Sequence, residues 1–159
     1  MKKSDFLAKL IRSKKLELVE PSEEIKQSYL HKSESNIISA KILLDNDKLE
    51  ESVALAYYSM YNSVMALFFK AGIKSENHTA SIMLLNDIFG IDNGDISFAK
   101  KERVDKQYYV NFQITKNDVS DGIKKAELFN SLMNDFISKM TNERIAKVRV
   151  TFNNLILDK

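Results

Sequence analysis

The sequence predicts an all-α protein, an up-and-down bundle of four or five helices with a short N-terminal arm and a C-terminal extension. Three observations carry this. One proline and four glycines in 159 residues leave few places where a helix must break. Ser52 to Phe69 runs for 18 residues without a charge, with apolar groups at helical spacing. Val119, Ile123, Ala126, Phe129, Met133, Phe136, Ile137 and Met140 mark one face of a second long helix.

Residues 1–20 read as an arm in which Phe6, Leu7, Leu10 and Ile11 form one helical stripe, followed by the basic run Arg12 to Lys15. The arm either docks on the bundle as a helix or strap, or reaches out to a partner or RNA. Pro21, Ser22, Glu23 and Glu24 then give a helix start: a capping hydroxyl with carboxylates in the first turn, at the positive end of the dipole. From there Ile25, Tyr29, Ile37, Ala40 and Leu44 stripe a helix to about Asn46.

Asp47 with Glu50 reads as a capping box opening the central helix. That helix carries Val53, Tyr57, Met60, Tyr61, Val64, Leu67, Phe68 and Ala71 on one face and Leu55, Tyr58, Met65 and Phe69 on another. Two apolar faces place it at the centre of the bundle, with the second face available to another subunit. Its tyrosines, serines and Asn62 make it too polar for a membrane span.

Gly72-Ile73 and Gly90-Ile91 each read as a left-handed glycine cap followed by an apolar residue folding back on the helix. Between them, Asn77 to Phe89 predicts a short helix with Ile82, Leu85 and Phe89 inward. Asp92 to Asp95 is a turn, and Ile96 to about Tyr109 a charged helical stretch. Thr115 and Asp118 cap the last bundle helix. Beyond residue 140 the tail fits a helix through Ile145, Val148, Phe152 and Leu155. It also alternates like a strand through Val148, Val150 and Phe152; the helical context favours helix.

The bundle is thus bounded as residues 21–140 and the extension as 141–159. A hydrophobic fraction of 44% excludes a disordered chain, and a net charge of +2 excludes a global field for nucleic acid. Any such contact must come from a local patch. Without cysteine there is no disulfide, thiolate metal site or catalytic thiol. No phosphate-cradling glycine loop, serine elbow or metal-binding helix motif is present, so neither cofactor nor metal is expected. The basic but interrupted start lacks a signal peptide's apolar core, and a cytoplasmic location is the expectation.

Two histidines exist. His31 falls on the solvent side of the first long helix, whereas His78 opens the helix after the central one, where it either caps and packs or serves as the available acid-base imidazole. Lys100, Lys101, Arg103 and Lys106 gather near Tyr108 and Tyr109, a set that reads either as a solvated face with ion pairs or as a grip for phosphate and a base.

Ala56-Tyr57-Tyr58-Ser59-Met60-Tyr61-Asn62, then Ala66 to Gly72, then His78, resembles the small prokaryotic HEPN domains (higher eukaryotes and prokaryotes nucleotide-binding). Arg103-Val104-Asp105-Lys106-Gln107-Tyr108-Tyr109 is similar to that branch's Arg-x-x-x-Asp-Tyr element, with its aspartate placed earlier here. The likeness spans roughly Pro21 to Met140. It implies an RNA- or nucleotide-interacting protein of a prokaryotic defence or toxin-antitoxin system, a homodimer with the central helix near the shared interface, and a minimal nucleotidyltransferase as protein partner. It singles out Arg103, with His78, as the catalytic candidates, and Arg103, Asp105, Lys106, Tyr108 and Tyr109 as ligand-binding candidates. HEPN ribonucleases pair such an arginine with a histidine four to six residues on, for metal-independent RNA cleavage; here the position five beyond Arg103 is Tyr108. A phenol with an ordinary pKa near 10 is a poor base at neutral pH, which argues against an intact ribonuclease motif. The alternative is a non-catalytic helical adaptor that binds a partner protein.

Overall fold

The computed structural model describes residues 2–108 and 113–157. Its elements are α1 (Lys3–Arg12), β1 (Leu16–Leu18), α2 (Glu23–Asp45), α3 (Leu49–Ala71), β2 (Ile73–Ser75), α4 (His78–Phe89), α5 (Gly94–Tyr108), α6 (Lys116–Ser138) and α7 (Asn142–Leu157). The protein is all-α, as its sequence predicts. The long helix α3 is the axis: α2, α5 and α6 pack along it, and α4 and α7 meet it as well. Tyr57, Met60, Val64, Ala66, Leu67 and Phe68 on α3 are at most 1% exposed.

Serines let α2 and α3 approach closely without leaving polar groups orphaned. Ser52 donates to the carbonyl of Ala40 at 2.6 Å. Ser33 and Ser59 each donate to the other's carbonyl at 2.7 Å, and Asn130 of α6 donates to Ser59 Oγ at 2.7 Å. Ser33, Ser59 and Asn130 thus form a buried polar layer joining three helices. Among the described residues no helix is long and apolar enough to cross a membrane.

The predicted caps form where the chain leaves a helix with room to turn. Ser22 accepts from the Ile25 amide at 3.1 Å, and Thr115 with Asp118 makes a full capping box. Glu23, in the first turn of α2, is clasped by Lys26 and Lys70, which hold its carboxyl down at about 2. Gly72 and Gly90 both take the left-handed conformation, at φ 72° and 67°. Ile91 returns its amide to the Leu85 carbonyl at 3.2 Å, as a Schellman-type cap requires.

Two expectations need correction. Asp47 and Glu50 form no capping box: Lys48 is the N-cap and makes no side-chain bond, while Asp47 sits at φ 58° and pairs with Lys116 across the bundle. The turn between α2 and α3 is so tight that Asp47 supplies its left-handed residue, a role aspartate tolerates, instead of the cap. Ile73 does not fold back on α3 but begins β2, which pairs antiparallel with β1 in the register Leu16↔Ser75, Glu17↔Lys74, Leu18↔Ile73. The second apolar face of α3 is covered from within the chain. Met65 is buried, Leu55 and Tyr58 are half-buried, and Phe69 stacks on Tyr29 at 5.5 Å. Exposed aliphatic side chains lie instead on α2 (Ile25, Ile38, Ile42), α6 (Leu128, Leu132) and α7 (Val150).

Both ends of the chain pack on the bundle. Leu7 and Leu10 of α1 are buried, as are Ile145, Val148 and Phe152 of α7, so the tail is helical. Arg149 of α7 donates to the carbonyls of Val19, Ala71 and Gly72 at 2.8–3.2 Å, tying α7 to the end of α3 and to the segment after β1. A guanidinium at a helix C-terminus meets carbonyls that have no partner within the helix, and the dipole there favours a cation.

Candidate functional site

The site forms where α3, α4 and α5 meet. On α3, Tyr57 and Tyr61 are one turn apart and stack at 6.2 Å, while Tyr58 points a quarter-turn away. Gly72 ends α3, β2 carries the chain back, and Asn77 caps α4 by accepting from the Ala80 amide at 2.9 Å. That local sequence puts His78 at the first position of α4, against the tyrosines. Its ring stacks on Tyr61 at 3.7 Å with planes 9° apart, and its Nδ1 is 2.7 Å from the Tyr57 hydroxyl. Tyr61 reaches Ser81 at 3.3 Å, and Ser81 donates to Ser75 at 2.8 Å, so the base of the cluster is hydrogen-bonded throughout.

Arg103 enters from α5. Its Nη1 donates to the Tyr58 hydroxyl at 2.6 Å, and its guanidinium lies 5.1 Å from the Tyr57 ring centre and 5.2 Å from that of Tyr58. Both distances are within cation-π range. Its Nε is buried without a hydrogen-bond partner. One turn earlier, Lys100 donates to Thr79 Oγ1 at 2.6 Å, tying α5 to the start of α4. Among the described residues no carboxylate pairs with either Arg103 or Lys100.

The electrostatics follow from this packing. Burial, with Arg103 and Lys100 close by, pushes the His78 pKa below its ordinary value, so the imidazole is neutral at pH 7. Burial and Arg103 likewise lower Lys100. Burial raises the phenols of Tyr57 and Tyr61, which remain protonated. Two tautomers of His78 satisfy Tyr57. If Nδ1 carries the proton and donates to the phenol, Nε2 is left as an acceptor, the arrangement a general base needs. If the phenol donates to Nδ1, Nε2–H becomes a donor suited to a phosphate oxygen.

The structure thus brings His78 and Arg103 together through Tyr57 and Tyr58. Asp105, Lys106 and Tyr108 belong by backbone to the last turn of α5, but their side chains, and the whole of Tyr109, lie outside the described residues. His31 is exposed on α2, far along the chain from this cluster and not part of it. Sequence reasoning treated Tyr57 and Tyr58 as core and missed them as direct partners of the two candidates. It also weighed Lys100 only as one of four local basic residues and did not single it out beside Arg103. The available signal was spacing: Lys100 and Arg103 are three residues apart on one helix, and so share a face. Among the described residues no cluster of three or more His, Asp or Glu side chains has the arrangement of a metal site.

Comparison with known proteins identifies the family. The HEPN domain model matches residues 26–136, well over half of the chain. The chain is 27% identical over 114 residues to "Putative toxin MJ0605" of Methanocaldococcus jannaschii, an alignment covering 67% of this chain and 84% of that protein. It is also 27% identical over 135 residues to "UPF0332 protein PH1297" of Pyrococcus horikoshii, covering 84% of this chain and 87% of that one. With the tyrosine cluster of α3 and Arg103 of α5 inside the matched span, the chain belongs to the HEPN domain family.

Proposed function

We propose that the chain is an RNA- or nucleotide-interacting protein of a prokaryotic defence or toxin-antitoxin system, in which Arg103 and Lys100 grip phosphate beside His78. The observation that supports this is a pair of cations with no carboxylate partner among the described residues. Burial first, and Arg103 second, disfavour the charge of Lys100, and an anion held between the two cations would relieve that cost. Tyr58 and Tyr57 back the guanidinium and orient it. The name of the Methanocaldococcus relative, "Putative toxin", is in keeping with this reading.

The ribonuclease motif is incomplete on this reading, since Tyr108 stands five residues beyond Arg103. A homodimer and a partner nucleotidyltransferase belong to the same reading and rest on the family resemblance. Tyr108 also favours a second reading, a helical adaptor that binds its protein partner without chemistry of its own.

The test is titration calorimetry with single-stranded RNA and with a mononucleotide, on wild type, Arg103→Ala, Lys100→Ala and the distant surface variant Lys124→Ala. Loss of one charge-assisted phosphate contact should weaken binding about tenfold in Arg103→Ala and in Lys100→Ala, and Lys124→Ala should bind as wild type does. RNA or nucleotide binding that ignores both substitutions would remove the phosphate site, and wild type without measurable binding would favour the adaptor.

A further inference from the structure

A separate cavity of about 380 Å³ opens on the other side of α5, between α3, α5 and α6. Its floor is apolar, with Met60 and Val119 both buried. Among the described residues its rim carries Asp95, Glu102, Asp121 and the capping-box Asp118, with Lys125 as the one ammonium in the described lining. Phe98, 54% exposed, stands at the mouth with Lys125 Nζ 5.2 Å from its ring centre.

Two further observations extend this mouth along α6. Asp121, Lys125, Leu128 and Leu132 follow the i, i+4, i+7, i+11 spacing of one helical face, and Leu128 and Leu132 are 67% and 70% exposed. At 1.5 Å rise per residue the strip is about 16 Å long, more than two turns of helix. Gly122, which lines the cavity, stands inside α6 although a Cβ there would meet nothing within 4 Å. Among the described residues nothing requires glycine at that position, where it costs about 0.5–1 kcal/mol relative to alanine. Its absent side chain leaves the α6 backbone open to close approach from outside.

We infer that this cavity and strip form a docking groove for a basic amphipathic helix of another protein. An aliphatic or aromatic anchor of that helix sits over Met60 and Val119, its apolar face continues along Phe98, Leu128 and Leu132, and its lysines or arginines face the acidic rim. Charge complementarity selects a basic partner. The length of the strip selects a helix over a small molecule, in the groove-binding mode in which spaced apolar anchors carry the affinity. This groove is distinct from the Arg103 site and does not depend on it.

The experiment measures fluorescence anisotropy of a labelled amphipathic peptide of leucine and lysine, beside a leucine-glutamate peptide of the same pattern and a lysine-serine peptide without apolar anchors. Only the first should bind saturably. Phe98→Ser and Asp121→Lys remove an anchor contact and invert the rim, and each should weaken it about tenfold. Gly122→Ala should raise thermal stability while weakening the peptide, which separates occlusion of the groove from damage to the fold. Equal binding of the leucine-glutamate peptide, indifference to all three substitutions, or no saturable binding by the leucine-lysine peptide overturns the inference. So does sedimentation showing a wild-type dimer that Leu132→Lys dissociates, because the strip would then be occupied by a second copy.

Discussion

The Tyr57 hydroxyl lies 2.7 Å from Nδ1 of His78, joining the middle of α3 to the first residue of α4. Because that imidazole is partly buried beside two cations, protonating it costs more in the folded chain than in the unfolded one. The unfolded ring titrates near 6.5 and the folded ring lower. Between those two values the unfolded chain binds more protons, so stability rises with pH across this window and falls on acidification below about pH 6.5. Melting temperatures of wild type and His78→Gln from pH 5 to pH 8 should converge toward the acid end relative to their separation at pH 8. Parallel curves would mean that His78 does not titrate differently on folding.

The two capping glycines were legible as such in the sequence, but what surrounds them was not, and the structure separates their roles. Both need the left-handed conformation, which costs a non-glycine residue about 1–2 kcal/mol. At Gly90 a Cβ would meet nothing within 4 Å. At Gly72 it would collide with Arg149 Nη1 and the Val19 carbonyl, and so displace the guanidinium that holds α7 to the end of α3. Gly90→Ala should therefore cost about 1 kcal/mol and Gly72→Ala at least about 3 kcal/mol in denaturant unfolding. Equal costs would show that the Arg149 clasp contributes nothing.

Tyr61 was read as core and is core, with 8% of its surface exposed and His78 stacked on its ring. Truncation to alanine should cost about 3 kcal/mol or more, as for other large buried rings. Tyr61→Phe keeps the stack and loses only the 3.3 Å contact to Ser81, at a cost of about 1 kcal/mol. An unchanged melting temperature for Tyr61→Ala would place the ring outside the core.

Helix periodicity revealed α3 and α6 because the apolar faces of both repeat over several turns, and terminal chemistry revealed Ser22 and Thr115 as starts. The β1–β2 pairing was hidden because each strand is three residues long, too short for an alternating pattern to stand out. The site was half visible. Arg103 and His78 could be named from residue type and resemblance, but their 25-residue separation gives no periodic signal, and only the tyrosines of α3 bring them together. The second face of α3 was legible as apolar, but one sequence cannot say which of its own helices will cover such a face.

Replacing Arg103 tests whether charge or geometry matters in the site. Arg103→Lys keeps the cation but loses the planar fork that donates to Tyr58 and lies over both rings. If the site grips phosphate as proposed, lysine should restore only part of the affinity lost in Arg103→Ala, while the stability of both variants stays within about 1 kcal/mol of wild type. Full restoration by lysine would reduce the tyrosine contacts to packing.

Catalysis is the remaining question, and the residues frame it sharply. Metal-independent RNA cleavage needs a base for the ribose 2′-hydroxyl, an acid for the leaving 5′-oxygen and a cation on the phosphorane. Arg103 and Lys100 can serve the last role. A neutral His78 can serve one of the first two, but not both in the same step. Tyr108, a phenol in the slot where ribonucleases of the family carry histidine, is a weak base at pH 7. Wild type incubated with labelled single-stranded RNA in excess chelator should therefore cleave very slowly or not detectably. Tyr108→His, which restores the family's pairing with Arg103, should raise the rate. A gain that Arg103→Ala then abolishes would show that the cleft retains cleavage geometry and lacks only its second imidazole. Efficient wild-type cleavage lost in both Arg103→Ala and His78→Ala would make His78 the working acid-base group and overturn the reading of an incomplete motif.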